Sequence, residues 1–166
     1  MDKSKAGQPK KNIPGRVSKD WIIFDDGSKY KGEWLLNSKD GKGEFVYPDG
    51  SRYEGEFLND LPNGKGVLTS KIGRYDGQWK NGIRNGFGKE TWTSTGDMYE
   101  GNYVDGERTG NGKLTYSDGA VYTGEFDKNT LKGRGKVVYA NGNTYDGMWK
   151  NNARDGEGTL TTNDGK

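Results

Sequence analysis

Short segments of the chain alternate aromatic or glycine residues with polar residues, with a period of two. The segment Tyr53-Glu-Gly-Glu-Phe57 is one example, and Gly41-Lys-Gly-Glu-Phe45-Val-Tyr47 is another. Alternation of this kind is typical of a β-strand with one apolar face and one polar face. Each pair of such segments therefore predicts two short antiparallel strands.

This two-strand pattern recurs about every 23 residues, a period typical of repeat proteins. Six units begin with a tyrosine, and each has a Gly-x-Gly pair in its second half: they start at residues 30, 53, 75, 99, 122 and 145. Residues 20–29 match only the second half of a unit. We therefore predict a repeat array over 20–166, consisting of this half unit and six whole units. Residues 1–19 form a basic tail that we expect to be disordered.

The connections between the predicted strands carry turn signals. Asp-Gly or Asn-Gly pairs, which favour hairpin turns, join the units at Asp26-Gly27, Asp49-Gly50, Asp118-Gly119 and Asn141-Gly142. Within the units, the third residue after the second aromatic is Asn37, Asp60, Gly82, Gly106, Asn129 or Asn152. These residue types tolerate a positive φ, so we predict a left-handed turn at each of these positions. The fold class is therefore all-β, a single antiparallel meander of about 13 strands.

Composition changes this picture in two ways. Only 25 of the 166 residues are Leu, Ile, Val or Phe, whereas 29 are Gly and 20 are aromatic. We expect aromatic rings to form the core, packed over glycines whose missing side chains leave room for them. The chain has no Cys and no His, which excludes disulfides and His- or Cys-based catalysis. We predict no enzyme, no metal site and no cofactor, and a soluble cytoplasmic protein.

The repeat closely resembles the MORN (membrane occupation and recognition nexus) repeat. The segment from Tyr75 to Gly88 matches the core phrase Tyr-x-Gly-x-Trp-x-x-Gly-x-x-x-Gly-x-Gly at every fixed position, and the resemblance extends over 20–166. It implies an elongated single-layer β-meander that forms a twisted open trough. It also implies a scaffold that accepts partner segments in an aromatic groove, in cytoskeletal, ciliary or membrane-associated assemblies.

The predicted aromatic stripe has two interpretations. The rings either form only the core, or part of the stripe also lines a groove for a partner helix or extended peptide. The candidate groove residues are Trp34, Tyr47, Trp79, Glu90, Trp92, Tyr103, Tyr116, Tyr139 and Trp149. Glu90 replaces an apolar residue of the other units. It either pairs with a basic side chain of a partner or lies at a hydrated rim. Ser70 and Thr162 replace aromatics and thin the stripe.

Basic residues suggest a second type of surface. Lys39, Arg84, Arg108 and Arg154 occupy equivalent positions in what we predict to be long loops. They are either ordinary solvated side chains or a line along one edge that binds phosphoinositides or an acidic partner. Residues 1–20 hold six basic and two acidic residues, whereas the rest of the chain is slightly acidic. This charge distribution does not favour a nucleic acid partner.

The end of the sequence gives a further prediction. The turn sequence Asn163-Asp164-Gly165 follows a predicted strand near 156–162, and we expect that strand to be an open edge for self-association or for a strand of a partner. Trp21 and Ile23 are predicted to face outward at the opposite end. The predicted function is a non-enzymatic scaffold in a cytoskeletal or ciliary assembly. The alternative is a peripheral membrane module that binds anionic phospholipids or phosphoinositides through the four basic residues of the predicted loops and through the basic tail.

Overall fold

The computed structural model describes residues 14–164, which form one sheet of 13 antiparallel strands. The strands are β1 (Arg16–Ile23), β2 (Lys29–Leu35), β3 (Ser38–Val46), β4 (Arg52–Leu58), β5 (Leu61–Thr69), β6 (Gly73–Lys80), β7 (Ile83–Trp92), β8 (Met98–Val104), β9 (Glu107–Thr115), β10 (Val121–Asp127), β11 (Thr130–Val138), β12 (Thr144–Lys150) and β13 (Ala153–Thr161). Each strand pairs with its neighbours in sequence, which confirms the predicted all-β meander. Residues 14–164 include no helix that is long and apolar enough to cross a membrane.

Two kinds of turn alternate along the sheet. Within each unit, a two-residue turn joins the strands, and both residues have positive φ in five of the six units, for example Asn59 (47°) and Asp60 (70°). This geometry is a type I′ hairpin turn. The prediction was wrong in the first unit, where Leu36 (56°) and not Asn37 has the positive φ. Between most units, a three-residue turn ends with a left-handed glycine such as Gly27 (φ 84°).

The two strands of each unit form a long hairpin, and the register of their pairing shifts once within it. In the first, Gly32 faces Gly43 but Trp34 faces Lys39, so β3 contains two more residues than β2 over this interval. The equivalent shift occurs in the other five long hairpins. Extra residues of this kind bend a strand and increase its local twist. The six bends lie in line because the units are in register.

The repeated phrase supplies the residues that stabilise these bends. The first glycine of each Gly-x-Gly pair is left-handed, as at Gly41 (φ 106°). The polar residue before the second aromatic accepts a hydrogen bond from a bend amide: Glu33 Oε2 accepts one from Lys42 N at 2.6 Å. Gln78 and Glu125 make the same contact in their units. These polar positions therefore have a structural role on the face opposite the rings.

The core lies on the ring-bearing face of the sheet. It consists mainly of buried Tyr, Trp and Phe side chains, with few aliphatic residues. The second glycine of each Gly-x-Gly pair lies directly beneath a tyrosine ring, since a Cβ on Gly88 would lie 2.5 Å from the ring of Tyr75. This arrangement confirms that the glycines leave room for the rings.

The array begins earlier than predicted. Residues 16–19 were assigned to the tail, but they belong to β1. Arg16 forms an ion pair with the buried carboxylate of Asp40, and Lys19 Nζ lies 4.8 Å from the centre of the Trp34 ring. These contacts with the first whole unit hold the strand in place. Residues 1–13 lie outside the described residues, so their disorder stays a prediction.

Candidate functional site

Twelve rings form a continuous zigzag along the ring-bearing face, which we call the closed row. Neighbouring rings meet edge to face, with centroids 5.0–5.5 Å apart and interplanar angles of 77–89°. This geometry places the positive edge of one ring against the negative face of the next. The closed row contains, in spatial order, Trp34, Tyr30, Phe57, Tyr53, Trp79, Tyr75, Tyr103, Tyr99, Phe126, Tyr122, Trp149 and Tyr145. None of these side chains is more than 8% exposed.

The polar atoms of the closed row are almost all satisfied within the protein. The first tyrosine of every unit donates its hydroxyl to the carbonyl three residues later, at 2.9–3.2 Å. Burial raises the pKa of Tyr75, Tyr99 and Tyr122 to about 12. The indole nitrogens of Trp79 and Trp149 donate to carbonyls of the preceding strand, each at 3.0 Å. The closed row is therefore a structural core.

A second set of rings, which we call the open row, lies beside the turns that join the units. These rings are only partly buried, although they pack against the closed row: Phe24, Tyr47, Trp92, Tyr116 and Tyr139. Trp92 is the last residue of β7, and each of the other four follows the last residue of a strand. All five lead into a turn, as where Tyr116 N donates to Ala120 O at 2.8 Å. No further strand covers this margin within residues 14–164. Ser70 and Thr162 occupy the same position in the second and sixth units.

The polar tips of the open row differ from those of the closed row. Within the described part of the chain, the hydroxyls of Tyr47 and Tyr116 and the indole nitrogen of Trp92 make no hydrogen bond. Tyr139 is the exception, because its hydroxyl accepts a hydrogen bond from Arg154. Three donors beside partly exposed rings are therefore available to a ligand.

The four predicted basic residues do not lie in loops. They belong to β3, β7, β9 and β13, because the connections there are only two residues long. Their cations lie over rings of the same face: Lys39 over Phe24, Tyr30, Trp34 and Phe45; Arg84 over Tyr75 and Tyr103; Arg108 over Trp92, Tyr99 and Phe126; Arg154 over Tyr139 and Tyr145. The predicted location in long loops was wrong, because the residues of each bend belong to the second strand of the unit.

These four cations fall into two pairs. Lys39 has an acidic neighbour in Asp60, with Nζ 3.3 Å from Oδ1, and Arg84 pairs with Glu90 at 2.5 Å. Arg108 and Arg154 have no acidic partner within the described residues. Among the described residues, the Arg108 side chain donates hydrogen bonds only to oxygens of Asn129, at 3.1 and 3.4 Å. Arg108 and Arg154, on the C-terminal half of the face, are therefore cations without an ion pair among the described residues.

Glu90 lies on the ring face as predicted, but neither interpretation of it was right. It is buried, with 8% exposure, and its two carboxylate oxygens contact Arg84 and the hydroxyl of Tyr103 (2.8 Å). Burial and the neighbouring carboxylate both raise the pKa of the Tyr103 hydroxyl. Tyr103 is the second aromatic of its unit, where every other unit has Trp or Phe. The sequence contained a signal for this pair. Glu90 is the one acidic residue at the apolar position of the second strand, and Tyr103 is the one hydroxyl-bearing ring at the second aromatic position.

The nine predicted groove residues are divided between the two rows and the ion pair. Trp34, Trp79, Tyr103 and Trp149 belong to the closed row, and Glu90 is buried with them. The remaining residues, Tyr47, Trp92, Tyr116 and Tyr139, belong to the open row. Of the nine predicted residues, only these four are more than 8% exposed, so they are the ones that a partner on this face can contact.

The opposite face contains a feature that the sequence analysis missed. An open depression of about 730 Å³ lies over β2 to β6, between charged side chains that include Lys31, Glu44, Glu54, Lys65 and Asp76. A neighbouring depression of about 530 Å³ shares Lys65 and Asp76 with it and has Phe87 at its margin. No group of three acidic residues among 14–164 is placed to hold a metal ion.

Comparison with known proteins agrees with the repeat. The family model of the MORN repeat matches six segments, at residues 30–52, 53–73, 75–96, 99–121, 122–144 and 145–166. The chain has no match among curated proteins.

A solved structure with a similar fold is the SAS-4 (dCPAP) TCP domain in complex with a proline-rich motif of Ana2 (dSTIL), from Drosophila melanogaster. The identity is 15% and the TM-score is 0.50, and the match covers 98% of this chain and 93% of that chain. This likeness concerns the fold.

Proposed function

Because this chain belongs to the MORN repeat family, we propose that it is a non-enzymatic scaffold that holds a segment of a protein partner on its open row. One observation carries the proposal. The rings of the open row are only partly buried, and three of their polar tips have no hydrogen-bond partner among the described residues. The rings of the closed row, in contrast, have neither exposed surface nor free hydroxyls.

A surface of this kind has the composition of a binding site. Partly exposed Trp and Tyr side chains offer a large apolar area at a small cost in conformational entropy, and each also provides a directional donor. Anchors such as these supply most of the binding free energy at protein interfaces. The depression on the opposite face is lined mainly by Lys, Glu, Arg and Asp, and its lining residues include no aromatic ring to anchor a partner.

The fold neighbour is compatible with this proposal but does not carry it. The SAS-4 domain was solved with a proline-rich motif of Ana2 bound. The identity is too low to transfer that contact to particular residues of this chain. The proposal depends on the open row itself. Cytoskeletal or ciliary location is part of the proposal and comes from the family resemblance.

The alternative function, binding of anionic phospholipids through Lys39, Arg84, Arg108 and Arg154, is less favoured. Two of the four cations, Lys39 and Arg84, already have an acidic neighbour. A headgroup would have to compete with those carboxylates at half of the proposed line. Self-association through β13, whose nine residues are all exposed, also stays a prediction.

The test compares captured partners of the wild type with those of an open-row variant, Trp92→Ser/Tyr116→Ser. Serine already occupies this position as Ser70, so we expect the variant to fold. The control variant, Phe87→Ser/Val104→Ser, removes two residues of the opposite face that are about half exposed.

After cross-linking in cells and mass spectrometry, we expect the wild type and the control to capture the same partners. The open-row variant should lose them. An identical set of partners for all three proteins would contradict the proposal.

A further inference from the structure

We propose that the partner segment is a polyproline II helix that runs across the strands and carries acidic residues six positions apart, opposite Arg108 and Arg154. This inference rests on the proposed function, because it specifies the segment that the open row holds. It is argued from the spacing of the units, from the side chains at each step and from the unpaired charges.

The spacing of the array selects the backbone conformation. Successive units are two strands apart, or about 9.6 Å at ~4.8 Å per strand. A polyproline II helix advances about 9.3 Å in each turn of three residues. Every third side chain of such a helix therefore lies on the same face, with one of these side chains opposite each unit. An α-helix presents the same face every seven residues, which is an advance of about 10.5 Å. This advance differs more from the spacing of the units, so an α-helix loses register with the units sooner than a polyproline II helix does.

A β-strand fits less well, although its rise is similar. Residues three apart in a strand point to opposite faces, so a strand cannot place positions i, i+3 and i+6 on one surface. Aromatic surfaces with free Tyr and Trp donors are also the usual binding sites for polyproline II segments, whose carbonyls accept the hydrogen bonds. Trp92 and Tyr116 have such donors unused within the described residues.

The side chains of three successive units define the order of residues in the segment. Arg108 lies over Trp92, with its guanidinium 5.2 Å from the ring centre, and Arg154 lies over Tyr139 at 5.4 Å. Between them, the equivalent residue is Leu131, which is buried and apolar. A matching segment has an acidic residue at i, an apolar residue at i+3 and an acidic residue at i+6.

The charges of the four basic residues explain why the proposed segment binds to the C-terminal half of the ring-bearing face. Lys39 and Arg84 form ion pairs with Asp60 and Glu90, whereas Arg108 and Arg154 form no ion pair within residues 14–164. The separation of Arg108 and Arg154, two units, is about 19 Å at the usual strand spacing. Six residues of polyproline II advance about 18.6 Å, so both acidic side chains reach their cations without distortion.

The test measures the fluorescence anisotropy of labelled peptides with the full chain. The matched peptide is Glu-Pro-Pro-Leu-Pro-Pro-Glu. The shifted peptide, Glu-Pro-Pro-Leu-Pro-Glu-Pro, has the same composition and charge but glutamates five positions apart. A third peptide is an alanine-based helix with glutamates 14 positions apart. The protein variants are Arg108→Gln/Arg154→Gln and a control of equal charge on the opposite face, Arg52→Gln/Arg134→Gln.

We expect the matched peptide to bind. The shifted peptide should bind about threefold more weakly, because one of its two exposed ion pairs is lost, and the Arg108→Gln/Arg154→Gln variant about tenfold more weakly, because both are lost. The control variant should bind normally, and Arg108→Lys/Arg154→Lys should retain most of the affinity. Circular dichroism verifies that each variant is folded.

Equal binding of the shifted peptide, tighter binding of the helical peptide, an equal loss in the control variant or no binding of the matched peptide would overturn the inference. In all these cases the proposed function still stands if Trp92→Ser/Tyr116→Ser loses its cellular partners. If that variant keeps its partners, the proposed function fails as well.

Discussion

The closed row and the open row contain the same kinds of side chain on the same face of the sheet, but their surroundings differ. Each first tyrosine of the closed row lies over a glycine, and its hydroxyl is bonded to a carbonyl of its own strand. A ring of the open row lies beside a turn, and three of these rings keep a free polar tip within the described residues. The difference shows that backbone position, and not residue type, separates buried rings from partly exposed rings in this array.

The same comparison explains how a chain with few aliphatic residues folds. A single layer cannot bury side chains between two sheets, so each ring must be covered by its neighbours. Edge-to-face contacts provide this cover, and the glycines allow each ring to lie flat against the backbone. Each unit therefore completes the core of the next, as in other repeat proteins.

Alkaline unfolding is the largest effect that we expect from this difference. Burial raises the pKa of Tyr75, Tyr99 and Tyr122 to about 12, against about 10 in an unfolded chain. The folded state therefore favours the protonated hydroxyls. Their contribution to stability is complete below about pH 10 and is lost as the pH rises toward 12.

Circular dichroism and phenolate absorbance, followed together over this range, check the prediction. The phenolate signal of the closed row should appear together with the loss of the strand signal. Ionisation of all ten tyrosines near pH 10 in a protein that stays folded would contradict the burial of the closed row.

A pair of identical substitutions sharpens the comparison between the rows. Tyr75→Ala removes a fully buried ring of the closed row and should lower the free energy of unfolding by about 4 kcal/mol. Tyr47→Ala removes a partly exposed ring of the open row and should cost about 1 kcal/mol. Urea denaturation measures both values. Similar losses for the two variants would contradict the division into two rows.

The buried ion pair predicts a smaller effect. Glu90→Leu introduces the residue that other units have at this position, but it leaves Arg84 and the Tyr103 hydroxyl without their partner, at a cost of about 2 kcal/mol. Adding Tyr103→Phe removes the unpaired hydroxyl and should restore about 1 kcal/mol. A double-mutant cycle measures this coupling. If the two losses are simply additive, Glu90 and Tyr103 do not depend on each other.

The sequence predicted most of the fold because one stereochemical rule was repeated six times. Alternation with period two, the left-handed turn residues and the glycines beneath the rings each recur at the same place in every unit. An error at one position, such as Asn37, therefore left the prediction of the array unchanged.

The candidate site was harder to predict because its details depend on the register shifts. Periodicity assigned Trp79 and Trp92 to the same stripe, but only the bend places Trp79 in the closed row and leaves Trp92 at the margin. Arg84 and Arg108 likewise lie in strands and over rings, although sequence spacing suggested loops. The number of extra residues in a bend cannot be counted without the pairing of the strands.

Hydroxyl-radical footprinting of the five tryptophans, with and without the matched peptide, tests the central claim most directly. In the free protein we expect Trp21 and Trp92 to be oxidised, and Trp34, Trp79 and Trp149, which are at most 8% exposed, to be protected. Addition of the peptide should protect Trp92 alone. Oxidation of Trp79 and Trp149 as fast as Trp92 in the free protein would contradict the existence of a closed row and an open row.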